Sequence, residues 1–253
     1  MRSLYPDLAV AGLLALCLAT PIPGLATAGT PIPIVDDGPV VLSPGSDQAA
    51  TGVCVLQPAP RASFAYVLNA QEVYRNVAWR IPFASCPVCP APQILQINSM
   101  AFRIRWFGVC SAAAEVSIVG ATGPSTCRVP DTTIVLCPPV TYTIDNPSGM
   151  PGVIYTLPLS PGCCVTGEAF ALVRFSGFEN CLSADGLGPG IYSTTAVCTN
   201  CDQFYTSTVV PGLTDWCSPP FPPNSLWIQL DADCCTAVGT ERSSWGKVKA
   251  LYR

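Results

Sequence analysis

The clearest pattern in the chain lies between Gln93 and Phe107, which reads QILQINSMAFRIRWF. There Phe102, Ile104 and Trp106 alternate with Arg103 and Arg105, the period of two expected for a strand with one face buried and one face wet. Weaker versions recur along the chain. Val53 to Leu56, Asn76 to Phe83, Glu115 to Val119, Thr132 to Cys137, Val140 to Ile144, Val153 to Leu157, Phe170 to Phe175 and Leu226 to Leu230 are the other predicted strands. Clusters of Gly, Pro, Asn and Asp separate most of them, for example Asp145-Asn146-Pro147-Ser148-Gly149 and Asp185 to Gly190. No segment between Gly52 and Cys235 carries a sustained 3.6-residue period, and Gln71 to Arg75 is read as a single helical turn. Short strands joined by turns, without intervening helices, predict an all-β chain: a disulfide-rich, two-layer antiparallel β-sandwich, jelly-roll-like, rather than a parallel α/β sheet.

The two ends follow other patterns. Arg2 precedes an apolar run from Leu8 to Ala19, and Ala26-Thr27-Ala28 fits a signal-peptidase site. The run is too short for the roughly 20 residues that span a bilayer. Leu14-Ala15-Leu16-Cys17 resembles a lipoprotein box, but Leu16 stands where a small residue is wanted. The expected organisation is a signal peptide at 1–28, an extended N-terminal segment at 29–51, a β-sandwich domain at 52–235, and a linker with a basic aromatic tail at 236–253. The export signal implies a protein that is secreted or held at the cell surface.

Composition agrees with export. Beyond Cys17 the chain has fourteen cysteines, an even number, which in an oxidising compartment argues for disulfides. Fourteen cysteines allow on the order of 10⁵ complete pairings, so the sequence alone leaves the connectivity open. The adjacent pairs Cys163-Cys164 and Cys234-Cys235 are expected to bond elsewhere, because neighbouring side chains on a strand face opposite ways. The short loop between Cys201 and Cys217 makes them the expected local bridge. Cys86-Pro87-Val88-Cys89 and Cys198-Thr199-Asn200-Cys201 have zinc-knuckle spacing, yet ten other cysteines surround them, and structural disulfides are the stronger reading.

There is no histidine. Ser-His-acid triads, Cys-His pairs and His-bearing zinc sites are thereby excluded, and metal-free hydrolysis would rest on carboxylates alone. Without Arg2 and Asp7 the remaining chain carries 11 basic and 15 acidic residues, and the part up to Thr240 has net charge −7. That balance argues against nucleic acid, which needs a basic stripe. Asn146-Pro147-Ser148 is blocked by its proline, so the chain has no N-glycosylation acceptor.

Two recognition features remain. Tyr205, Trp216, Phe221 and Trp227 fall in one stretch together with Asp231 and Asp233. They read either as a stacking platform with hydrogen-bonding carboxylates for a glycan or cell-surface component, or as core filling beside disulfides, which is the commoner use of aromatics. Asp231 and Asp233 are two apart and would face one side of a strand, which also leaves room for a two-carboxylate glycoside hydrolase, and calcium is a candidate either at Asp185 or at Asp231 and Asp233. Glu115 and Glu168 open apolar strands. No other cofactor is indicated, and the principal expectation is a structural or binding protein without catalytic activity.

The second feature is the C-terminal SSWGKVKALYR, which holds both lysines of the protein. Trp245, Val248, Leu251 and Tyr252 recur at i, i+3, i+6 and i+7 and make one apolar helical face, with Lys247, Lys249 and Arg253 largely elsewhere. Cys201 to Cys235, followed by Ser244-Trp245-Gly246-Lys247-Val248-Lys249-Ala250-Leu251-Tyr252-Arg253, resembles uncharacterised exported bacterial proteins. Those are Cys-containing β-sandwiches that end in a Thr/Ser-Trp-Gly-x-x-Lys-x-Leu-Tyr/Phe-Arg tail. The resemblance implies an address or anchor in Trp245, Gly246, Lys247, Val248, Lys249, Leu251, Tyr252 and Arg253, read by a sorting receptor or a membrane. It implies no catalytic residue.

Overall fold

The computed structural model describes residues 54–58, 73–149, 152–159, 163–218 and 224–235, with the backbone of short strands at 32–33, 41–42 and 62–65. The expected signal peptide at 1–28, Phe221 and the tail from residue 236 onward lie outside the described residues. In chain order the strands are β1 (Ile32–Pro33), β2 (Val41–Leu42), β3 (Cys54–Leu56), β4 (Ala62–Ala65), β5 (Tyr74–Arg80), β6 (Ile94–Arg105), β7 (Ser111–Thr122) and β8 (Val129–Asp145). They continue as β9 (Gly152–Pro158), β10 (Cys164–Thr166), β11 (Ala169–Ser176), β12 (Gly190–Val197), β13 (Gln203–Ser207), β14 (Thr214–Asp215), β15 (Asn224–Leu226) and β16 (Ile228–Cys234). The regular structure among the described residues is nearly all β, with 59% strand and 4% helix, in two antiparallel sheets with one parallel pair between β2 and β9. Among the described residues no helix is long and apolar enough to cross a membrane.

The segment with the cleanest alternation is the spine of the first sheet. One edge of β6 pairs with β16 and then β12, and its other edge with β10 and then β9. A register shift opposite Asp231 and Ala232 puts Leu95 and Ile97 in phase with Met100, Phe102 and Ile104, so all five point inward. The second sheet runs β14-β13-β5-β11-β7-β8. Successive strands pass repeatedly from one sheet to the other, which gives the sandwich its jelly-roll-like connectivity. The expected helical turn at Gln71 to Arg75 does not form where the structure describes it, since Tyr74 and Arg75 begin β5. Thr132 to Cys137 and Val140 to Ile144, expected as two strands, belong to the single strand β8.

The two sheets bury a core rich in aromatic rings. Phe102, Trp106, Tyr155, Phe175 and Phe178 form one cluster, with Phe175 stacked on Phe178 at 4.6 Å. Tyr74, Tyr205 and Trp216 form another. A second, smaller apolar cluster of Ala78, Val119, Phe170, Leu172 and Phe204 lies on the outer face of the second sheet. Its members alternate with core residues such as Val77, Ile118 and Ala171, so sheet parity alone places them outside.

Seven disulfides join Cys54–Cys86, Cys89–Cys234, Cys110–Cys181, Cys127–Cys201, Cys137–Cys163, Cys164–Cys235 and Cys198–Cys217. The adjacent cysteines bond to separate partners, as strand geometry demands. The expected Cys201–Cys217 bridge is corrected to Cys198–Cys217 and Cys127–Cys201. The reason lies in the two faces of the second sheet: Cys217 and Cys198 pack into the core, whereas Cys201 belongs to the outer cluster with Cys127. Loop length favoured the wrong partner because it takes no account of that parity.

Candidate functional site

On the outer face of the second sheet, four polar residues stand directly opposite one another on four successive strands. Glu115 of β7 is in register with Arg174 of β11, Arg174 with Asn76 of β5, and Asn76 with Thr206 of β13. Glu115 Oε1 lies 3.2 Å from Arg174 Nη1, and Asn76 Nδ2 donates to Thr206 Oγ1 at 2.6 Å. The row crosses the strands at right angles and borders the apolar positions Leu172, Ala78 and Phe204. Walls rise on both sides. Pro130 and Thr132 from β8 form one, Pro211 and Leu213 from the turn before β14 the other, and the hollow between them measures about 400 Å³. Asn76 and Arg174 also line an adjoining hollow of about 400 Å³ with Arg75, Ser176, Glu179 and Thr208.

The local sequence explains the walls. Between Val119 and Gly120 of β7 the partner residue on β8 jumps from Val135 to Asp131, so Thr132 to Ile134 bulge out of the ladder. The bulge is held by Asp131, whose Oδ1 accepts from the Thr133 hydroxyl at 2.6 Å and the Thr133 amide at 2.9 Å. Those bonds favour the ionised form and lower the Asp131 pKa from its ordinary value. Ile134 folds back over Gly120, where a Cβ would lie only 2.6 Å from Ile134 Cγ2. Opposite, Ser207 Oγ accepts from the Val209 and Val210 amides and turns the chain into the second wall.

The groove is therefore a preformed trough with largely apolar walls and a floor that offers the Arg174 guanidinium, the Asn76 amide and the Thr206 hydroxyl in one line, with Glu115 paired to Arg174 just beyond it. Arg174 is well exposed. At the far end of the same face, Glu168 bridges Arg80 at 2.8 Å and also pairs with Arg128. Both glutamates expected to open strands are thus tied to arginines, although Glu115 lies inside β7, which begins at Ser111, and Glu168 immediately precedes β11.

The residues singled out in the sequence lie elsewhere. Tyr205 and Trp216 are buried between the sheets, their rings at 89° and 5.5 Å, and Trp216 Nε1 donates to the Asn224 carbonyl at 2.8 Å. Trp227 is 6% exposed. None of these three rings presents a face to solvent, and the core-filling use describes them. Asp231 and Asp233 do share the outer face of β16, on the first sheet. Asp231 is buried, and Asp233 accepts from Asn98 Nδ2 at 2.9 Å. The groove residues Asn76, Arg174 and Thr206 carry no local motif, and only the strand register assembles them.

A family model described as "Domain of unknown function (DUF7451)" matches residues 47–232. The chain belongs to this family. The DUF7451 sandwich is similar to a crystal structure of the cysteine protease and lectin-like domains of Cwp84, a surface layer associated protein of Clostridium difficile. That match has a TM-score of 0.43 and 11% identity, over 65% of this chain and 33% of that one. A second structure, of the clostridial Cwp84 protease after propeptide cleavage, matches with a TM-score of 0.44 and 10% identity, over 72% and 40% of the respective chains. The chain thus spans less than half the length of either. No curated protein matches it.

Proposed function

We propose that this DUF7451 protein is an exported binding protein whose groove across the second sheet holds a glycan at the cell surface, while the C-terminal tail serves as address or anchor. The transverse row Arg174-Asn76-Thr206, with Glu115 paired to Arg174 at its end, carries the reading. A sugar presents hydroxyls that both donate and accept, together with apolar C–H faces. The row supplies donors and acceptors, and Leu172, Pro211 and Leu213 supply the apolar contact. Seven disulfides support export, because such bridges persist outside the reducing cytosol. The leader and the sequence of the tail support the same destination.

Glycan-array binding with and without calcium tests the proposal, run on the wild type, Asn76→Ala and Arg174→Ala. Each substitution removes hydrogen bonds worth about 1–3 kcal/mol when charged or buried, so affinity is expected to fall about 10-fold or more. Both variants should fold, since an exposed ion pair such as Arg174–Glu115 contributes at most about 1 kcal/mol. Absence of any glycan ligand, or binding untouched by both substitutions, overturns the groove assignment. Turnover of an array hit would point instead to the two-carboxylate hydrolase.

A further inference from the structure

Two of the seven bridges meet. Cys54 on β3 is bonded to Cys86, and Cys89 is bonded to Cys234 at the end of β16. The Cys86 and Cys89 sulfurs belong to different bridges, yet they lie 3.1 Å apart without a bond between them. Neither sulfur carries a proton in this state, so the contact is no hydrogen bond. It is two disulfides pressed together. A backbone turn holds them there, the Cys89 amide donating to the Cys86 carbonyl at 3.3 Å across Pro87 and Val88. The sulfurs of Cys54, Cys86 and Cys89 all fall within 4.8 Å of one another, and these three residues are buried. Cys234 is half-buried and is the most exposed residue of the four.

Disulfides exchange when a thiolate attacks one sulfur of a bridge and displaces the other as a new thiolate. A thiolate freed at Cys89 would find the Cys86 sulfur already beside it, and a thiolate freed at Cys86 would find Cys89. We propose that Cys54, Cys86, Cys89 and Cys234 form a thiol-relay site that takes a low-molecular-weight monothiol at Cys234 and delivers a free thiol at Cys54.

The steps balance. The incoming thiolate attacks Cys234 Sγ, forming a mixed disulfide there; the Cys89–Cys234 bond breaks and its electron pair goes to Cys89. The Cys89 thiolate attacks Cys86 Sγ, the Cys86–Cys89 bond forms, and the Cys54–Cys86 bond breaks. The Cys54 thiolate takes up the proton that the incoming thiol lost. One thiol is consumed, one is released, and the oxidation level is unchanged. Proximity drives the second step, because the attacking and accepting sulfurs are neighbours before the first bond breaks.

Single substitutions test the relay without any added reagent. Cys234→Ser strands Cys89, and Cys54→Ser strands Cys86, both in the full exported chain. Free thiols are alkylated in acid-quenched protein, and the bridges are mapped by peptide mass. The relay predicts the same Cys86–Cys89 disulfide in both variants, with alkylation at Cys54 in the first and at Cys234 in the second. Alkylation at Cys89 with Cys54–Cys86 intact, or at Cys86 with Cys89–Cys234 intact, overturns it. Should either variant fail to fold, wild-type protein is incubated with reduced glutathione. An adduct on Cys234 with Cys54 free supports the relay. An adduct with Cys89 free, or no adduct on Cys234, refutes it.

Discussion

Tyr155→Phe isolates one hydroxyl that ties the two sheets together. Tyr155 stands on β9 in the first sheet and is fully buried. Its hydroxyl donates to the carbonyl of Asp145, the last residue of β8 in the second sheet, at 2.7 Å. The same oxygen accepts from Trp106 Nε1 at 2.8 Å. Phenylalanine keeps the ring and its contacts with Phe102 and Trp106, so no cavity larger than one oxygen opens. What is lost is a pair of hydrogen bonds, with the buried indole N–H left unpaired. An unsatisfied buried donor costs about 1–3 kcal/mol, so a loss of about 2 kcal/mol is expected. For a domain of this size that lowers Tm by about 4–8 °C. Burial also pushes the Tyr155 phenol well above its ordinary pKa of 10, and the Trp106 hydrogen bond offsets this only in part. The folded value is raised, so the stabilisation is whole below pH 10 and is lost as pH climbs through 10 toward the folded value. The variant has no proton there to lose. Guanidinium unfolding with disulfides intact, at pH 7 and at about pH 11, should therefore show the gap between wild type and variant closing at the higher pH. A variant within about 0.5 kcal/mol of wild type at pH 7, or a gap of equal size at both, refutes the reasoning.

Three further outcomes follow from the groove and its staples. Gly120→Val should cost about 1–3 kcal/mol in thermal unfolding, because its Cβ meets both Cγ2 and Cβ of Ile134, and Ile134→Gly in the same chain should restore part of that where Ile134→Ala, which keeps the Cβ, restores less. Removing both Cys198 and Cys217 releases a loop of 19 residues and should cost about 3 kcal/mol, while non-reducing peptide maps of the wild type should join Cys201 to Cys127. A Cys201–Cys217 peptide would contradict the assigned faces of the second sheet. Asp131 has its pKa lowered first by the Thr133 hydroxyl and then by the Thr133 amide. Its contribution is present above its ordinary 3.8 and is lost as pH falls through the lower folded value. Thr133→Val should move the Asp131 carboxyl titration, followed by NMR, back up toward that ordinary value.

How far the sequence carries the fold depends on how many faces of a strand are covered. Strand β6 alternates openly because its inner face packs the core while Arg103 and Arg105 point away, and its pattern is the easiest to see. Strand β13 reads QFYTS and is buried at every position, with Tyr205 in the main core and Phe204 in the outer cluster. A strand with no exposed position has no wet phase to reveal it, so periodicity passed over it. The same holds for the aromatics. Trp216 and Trp227, set among Asp and Asn, look alike in a sequence whether they fill a core or face a sugar, and burial alone separates the two uses. Cys201 shows a third limit. It has a left-handed backbone, with φ of 70°, which helps turn its side chain away from the core that Cys198 enters three residues earlier.

The groove was hidden for a different reason. Asn76 and Thr206 are 130 residues apart, and Arg174 and Glu115 are separated by 59. Their common feature is register, a property of strand pairing that no local spacing encodes. Each residue taken singly is an ordinary outward-facing polar group. Only when four strands align at one level do carboxylate, guanidinium, amide and hydroxyl become a line of donors and acceptors. The bulge at Thr132 to Ile134 and the Ser207 turn then wall that line on two sides. The row is thus a property of the sheet, whereas Tyr205, Trp216 and Trp227, close together in the sequence, are buried.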